Sequence, residues 1–307
     1  MVIIMDKIGK RMIIYRLIVL FFVILVFSTT NDSFARPAQK VSLLPSSDNT
    51  VYLPVISKPS LLNFDIAANV PVKDVGEIKT GISYVQMDVM NHFGGDISPD
   101  VQATITVKIV ATGEGNQEPG GGGSCCTGLA ESGARPFFDV LHPHWVGTLP
   151  PPYTLPLHHQ TTAAHEYAHG WQWYLGCLDI HSQPLGDWMN EGIAHYVGHA
   201  SFIRNGILSA DEVRDFQLSS AIFTGEADVP LESLEMSQGL WPGHVGYLAI
   251  EFLVSESLSG QMAIRTLCED VGNGISVDQA FADVFGMTKA YFYETAWPQY
   301  FDDLKGE

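Results

Sequence analysis

Basic side chains are scarce in this sequence: 16 Lys and Arg stand against 34 Asp and Glu in 307 residues, a formal net charge of −18. Such an acidic surface argues against nucleic acid or anionic membranes as partners and says nothing about fold. Cysteine is scarce too. The four are Cys125, Cys126, Cys177 and Cys268, and none has the CxxC spacing of a zinc ribbon or redox pair. In an oxidising compartment an even number allows two disulfides in three connectivities. A bridge from Cys125 or Cys126 to Cys177 or Cys268 is expected. Beyond the N-terminus no apolar run reaches the roughly 20 residues that a spanning helix needs. There is no internal repeat, so a repeat array is excluded.

What is present begins with a leader. Lys7, Lys10, Arg11 and Arg16 precede the eleven-residue run "LIVLFFVILVF" (Leu17–Phe27), and Ser33-Phe34-Ala35 supplies a small-x-small site. Residues 1–35 read as a secretory signal peptide cleaved near Ala35, the run being short for an anchor. Its removal leaves 12 Lys and Arg against 32 Asp and Glu, a net charge of −20. The expected location is secreted or otherwise extracytoplasmic, with no stable membrane anchor after cleavage.

Residues 36–75 mix prolines and polar residues with short apolar runs, and read as an extended segment or linker. Ile78, Ile82, Val85, Val89 and Met90 recur at helical spacing, which predicts a helix over Gly76–Phe93. "VQATITVKIV" alternates and is β-branched, a strand from Val101 to Val110. A Gly-rich loop follows, then "FFDVL" as an edge strand. "LHPHWVGTLPPPYTLPLHHQ" reads as too proline-rich for a regular element. From Thr161 the pattern turns helical: Thr161 or Thr162 caps a helix ending before Gly176, and "DWMNEGIAHYVGHASFIR" forms the next. Five more helices follow, with Ser276 and Gln279 as a capping box on the fourth and Thr288 capping the last. Strands first and helices afterwards predict an α+β fold.

The chemistry lies in "TTAAHEYAHGWQW". Residues four apart on a helix share a face, so His165 and His169 can aim two imidazoles at one point. A catalytic zinc takes three protein ligands and leaves one position to water. Glu166 sits beside such a metal rather than on it, placed to act as general base. A third ligand appears downstream in "DWMNEGIAHY": Glu191 lies 22 positions after His169, room for the chain to bring a second helix back.

"HEYAHGWQW" and "WMNEGIAHY" together resemble the paired HExxH and NEG motifs of the gluzincin metallopeptidases, the peptidase MA-like group. The likeness runs from about residue 75 to 302 and is strong only at the two motifs. It implies a thermolysin-like catalytic domain over residues 76–307, a small mixed sheet packed on the HExxH helix and followed by a helical lobe. It implies one zinc per chain held by His165, His169 and Glu191, with Glu166 as general base and a peptide or protein as substrate. No G-x-M-E-N segment precedes HEYAH, which favours endopeptidase over aminopeptidase action. The family's donor for the developing oxyanion comes from a later helix, where His244 and Tyr247 stand three apart, although Gly243 occupies the usual tyrosine position. Metzincins are disfavoured because the third His of HExxHxxGxxH is missing.

Other readings remain open on these residues. One is a secreted zinc-containing binding module without catalysis, which would have no need of Glu166. Another is an interaction domain carrying the motif by coincidence. His142, His144, His158 and His159 read as loop decoration; His195 or His199 could hydrogen-bond a metal ligand, but a surface face is the preferred reading for both.

Overall fold

The computed structural model describes residues 62–103, 105–114, 127–129, 136–146, 152–178, 184–235 and 241–306. The chain divides into a unit of Met1–Val55 and one of Ile56–Glu307, and every described residue belongs to the second. The expected leader, most of the extended segment and Cys125 and Cys126 therefore lie outside the described residues. No helix among the described residues is long and apolar enough to cross a membrane.

The domain begins earlier than expected. Asn63–Ile66 is already a strand (β1), and the first helix (α1) runs Val72–His92. Ile78, Ile82, Val85 and Val89 form its buried stripe as the periodicity predicts, whereas Met90 faces outward. A helical crossover lets the next strand pair parallel with the first. That strand (β2) is Thr106–Val110, shorter than the predicted Val101–Val110. Ser98 and Pro99 open a single helical turn over Pro99–Gln102, since proline fits a first helical turn.

The sheet has the order β1-β2-β4-β3, where β3 is Thr127–Leu129 and β4 is Pro136–Asp139. β1, β2 and β4 are parallel, registered through Asn63↔Thr106 and Lys108↔Phe137, and β3 joins β4 antiparallel through Thr127↔Phe138. The predicted edge strand at "FFDVL" is thus an inner strand. All four of its residues are buried, and strands covered on both faces read as unbroken apolar runs.

The rest is helical: α2 Leu155–Leu175, α3 Asp187–Arg204, α4 Ala210–Thr224, α5 Gly243–Glu256, α6 Met262–Gly272, α7 Val277–Phe285 and α8 Trp297–Lys305. The class is α+β and mostly helical. α2 packs against α1 and α3 and touches β3 and β4, and α3 packs on α5. A Cβ added at Gly192 would stand 2.5 Å from the carbonyl oxygen of Gly246, so the crossing of α3 and α5 requires glycine there. Ser276 caps α7 through the Gln279 amide, but the Gln279 side chain turns to Asp283, so the predicted capping box is only half formed. Phe292, Trp297 and Phe301 are buried as predicted. Cys177, just after α2, is bonded to Cys268 of α6, which overturns the expected pairing of either with Cys125 or Cys126. The two thiols meet because α2 and α6 pack together near their C-terminal ends.

Candidate metal centre

α2 starts in the stretch that looked too proline-rich for structure. Thr154 caps it, its hydroxyl accepting from the Leu157 amide at 3.4 Å. Pro156 falls in the first turn, where the missing N–H costs nothing. Thr161 and Thr162, the two predicted caps, lie inside the helix instead, Thr161 donating to the His158 carbonyl. Gly176, at φ 87°, ends α2 in the left-handed region that glycine tolerates.

Small residues bring α3 close. Ala163, Ala164 and Ala168 are fully buried, and a Cβ added at Gly198 of α3 would lie 3.2 Å from the His165 amide nitrogen. This approach gathers the three predicted ligands. His165 Nε2 and His169 Nε2 stand 3.0 Å apart. Glu191 Oε2 lies 3.3 Å from the first and Oε1 3.4 Å from the second. Three vertices of a tetrahedron around zinc, with bonds of about 2.0–2.1 Å, would stand about 3.3 Å apart. The donor set fits such a cation. Glu191 Oε2 is moreover buried without a hydrogen-bond partner among the described residues, a costly state for a polar atom unless something else engages it.

Electrostatics act in the same direction. Burial works against charge on His169, yet Glu191 and then Glu166 outweigh it and lift its pKa to about 9. Burial also opposes charge on Glu191, but His169 and His165 hold its carboxyl well below the usual range. A buried carboxylate held ionised by two imidazoles is a place prepared for positive charge. Glu166 is 5% exposed and makes no hydrogen bond or ion pair among the described residues.

The candidate oxyanion donors separate. His244, at the start of α5, faces His195 with ring centroids 5.9 Å apart, and its Nδ1 meets Gln217 Oε1 at 2.7 Å. Tyr247 is 1% exposed and packs on Tyr196 and His199, with no ring contact or hydrogen bond to the three ligands.

Sequence reasoning missed two neighbours. His195, expected on a surface face, has its ring 4.5 Å from that of His165 and its Nδ1 buried without a partner. His199, expected beside it, is also buried, at 5% exposure. Burial pushes the pKa of His195 well below its usual value and those of His199 and His244 down to about 4, so all three are neutral near pH 7. Gln172 is the second, fully buried, with Oε1 2.9 Å from His169 Nδ1 and Nε2 3.0 Å from the Asn190 carbonyl. Its spacing of three from His169 was visible, but its reach to α3 was not.

His159 was read as loop decoration and is instead buried within α2. Its Nδ1 meets Glu77 directly and lies 3.6 Å from Asp74, while Nε2 lies 2.8 Å from the Trp145 carbonyl. These three side chains could also surround a cation. Both ring nitrogens are already engaged, however, and His159 stacks on Trp145 at 4.1 Å, so the group acts as a clamp between α1 and α2.

Fold and site together define an α+β protein with a buried two-histidine, one-glutamate group suited to a metal ion. The chain matches no protein-family model, no curated protein and no solved structure, so its functional reading rests on the site's own chemistry.

Proposed function

We propose that this protein is an exported zinc metallopeptidase of the gluzincin type, acting as an endopeptidase with a thermolysin-like arrangement of sheet and helical lobe. The observation that carries the reading is the convergence of His165, His169 and Glu191 at 3.0–3.4 Å, with a buried Glu191 oxygen left without a hydrogen bond among the described residues. Two imidazoles and a carboxylate in tetrahedral spacing suit zinc better than the all-oxygen shells of calcium or magnesium. When bound, zinc supplies Lewis acidity, polarising a peptide carbonyl and bringing the pKa of a water close to about 7.

The chain's own groups do the rest. Glu166 follows a ligand directly and makes no hydrogen bond among the described residues, its charge acting on His169, so its carboxylate can take a proton from the attacking water. It then returns that proton to the leaving amine. A binding module without catalysis would have no use for a buried carboxylate at that position. For the developing oxyanion, His244 is the nearer of the two candidates, its ring 5.9 Å from that of His195, which is itself 4.5 Å from the ring of His165. His195 itself is a third candidate. Tyr247 faces the core.

Elemental analysis of the purified mature chain tests the metal. About one zinc per chain is expected in the parent and a large loss in His169→Ala and Glu191→Gln, since a catalytic site has three protein ligands. Full occupancy in either folded variant would overturn the assignment.

A further inference from the structure

Gln172 touches both helices that supply ligands, and its amide can be oriented by logic alone. One end faces the Asn190 carbonyl at 3.0 Å. A carbonyl oxygen only accepts, so that end must be the NH2 group. The other end, Oε1, then faces His169 Nδ1 at 2.9 Å and can only accept. Nδ1 must therefore carry a proton. The hydrogen bonds thus set the tautomer with its proton on Nδ1 and the lone pair of Nε2 towards His165 and Glu191.

From this geometry we infer that Gln172 is the positioning residue of the metal centre: it fixes the tautomer of His169 and ties that ligand to the chain one residue before Glu191. The inference rests on the metal-centre reading above and deepens it. Its two hydrogen bonds join α2 and α3 at the level of the ligands, adding a direct tie between His169 and the residue before Glu191 to the packing of the two helices. Gln172 is fully buried, which keeps water from competing for either bond. His165 has no equivalent support among the described residues, where its Nδ1 is buried without a partner. The two histidines are thus held unequally, and His169 is the ligand whose direction the protein sets most firmly. Ligand histidines commonly donate their second N–H to such an acceptor, and losing the acceptor typically weakens metal binding 10–100-fold.

The test compares zinc affinity, measured by competition with a chelating dye, in the parent, Gln172→Leu and Gln172→Glu. The leucine keeps bulk but removes both hydrogen bonds. The glutamate keeps an acceptor opposite Nδ1. Gln172→Leu is expected to bind zinc about 10–100-fold more weakly, and Gln172→Glu to recover most of the loss. A second measurement needs no variant: in the zinc-loaded parent, nitrogen-15 NMR should show the His169 ring proton on Nδ1, slow to exchange. Undiminished affinity in folded Gln172→Leu, or a loaded His169 without a proton on Nδ1, would overturn the inference. If the parent takes up no zinc at all, the metal-centre reading itself fails, a different result from parent binding that Gln172→Leu leaves intact.

Discussion

Asp96, in the loop after α1, offers a test of the packing that carries the metal centre. It accepts from the Ile97 amide at 2.8 Å, from Gln102 Nε2 at 2.7 Å and from the Tyr167 hydroxyl at 2.9 Å. Tyr167 stands between His165 and His169 in sequence, so this carboxyl helps anchor the HExxH helix. Burial nevertheless dominates and raises its pKa from 3.8 to about 6, the three donors only moderating the effect. The folded state therefore holds this proton more tightly than the unfolded chain. The associated stability is fully present below pH 3.8 and is lost as pH rises through about 6. A shift of about two units corresponds to about 3 kcal/mol at most, and partial solvent contact reduces it to about 1–2 kcal/mol. Asp96→Asn keeps the shape and removes the titration. Urea denaturation of both proteins should show the parent losing about 1–2 kcal/mol relative to the variant between pH 4 and pH 7. A difference that stays flat, or moves in the parent's favour, would refute the reasoning.

Two further outcomes follow from the packing. Gly192→Ala places a methyl group 2.5 Å from the Gly246 carbonyl, so melting should report a loss of about 1–3 kcal/mol, with weaker zinc binding because Glu191 is the adjacent residue; an unchanged melting temperature would contradict the close crossing. The Cys177–Cys268 bond closes 91 residues, and in the chain-entropy account its reduction should cost about 4–5 kcal/mol of stability, readable by denaturation with and without reductant; non-reducing peptide maps linking Cys177 to Cys125 would contradict the bridge.

How much was legible follows from the range of each interaction. The i,i+4 pair His165 and His169 is a local property of one helix, and the NEG glutamate needed only enough chain to return. The alternation of β2 was visible, but its start was misread because Ser98 and Pro99 set up a helical turn first. β4 was misplaced to an edge because pairing partners leave no mark on four consecutive buried residues. The start of α2 was hidden by counting prolines instead of asking which position each takes. The spacing of Gln172 from His169 was legible, but its reach to α3 and the contacts of His195 with α2 and α5 were not, since those helices meet only in three dimensions. Neutral, buried His195 and His199 carry the same letters as solvated histidines.

The central claim is that His165, His169 and Glu191 hold a zinc while Glu166 moves the proton. It is tested most directly by peptide-library turnover of the parent against Glu166→Gln, both loaded to equal zinc content. The ligands are untouched by this change, so zinc and fold should survive while turnover falls at least the roughly 10²–10⁴-fold typical of losing a general acid–base group. Cleavage by Glu166→Gln at the parent's rate would contradict the account.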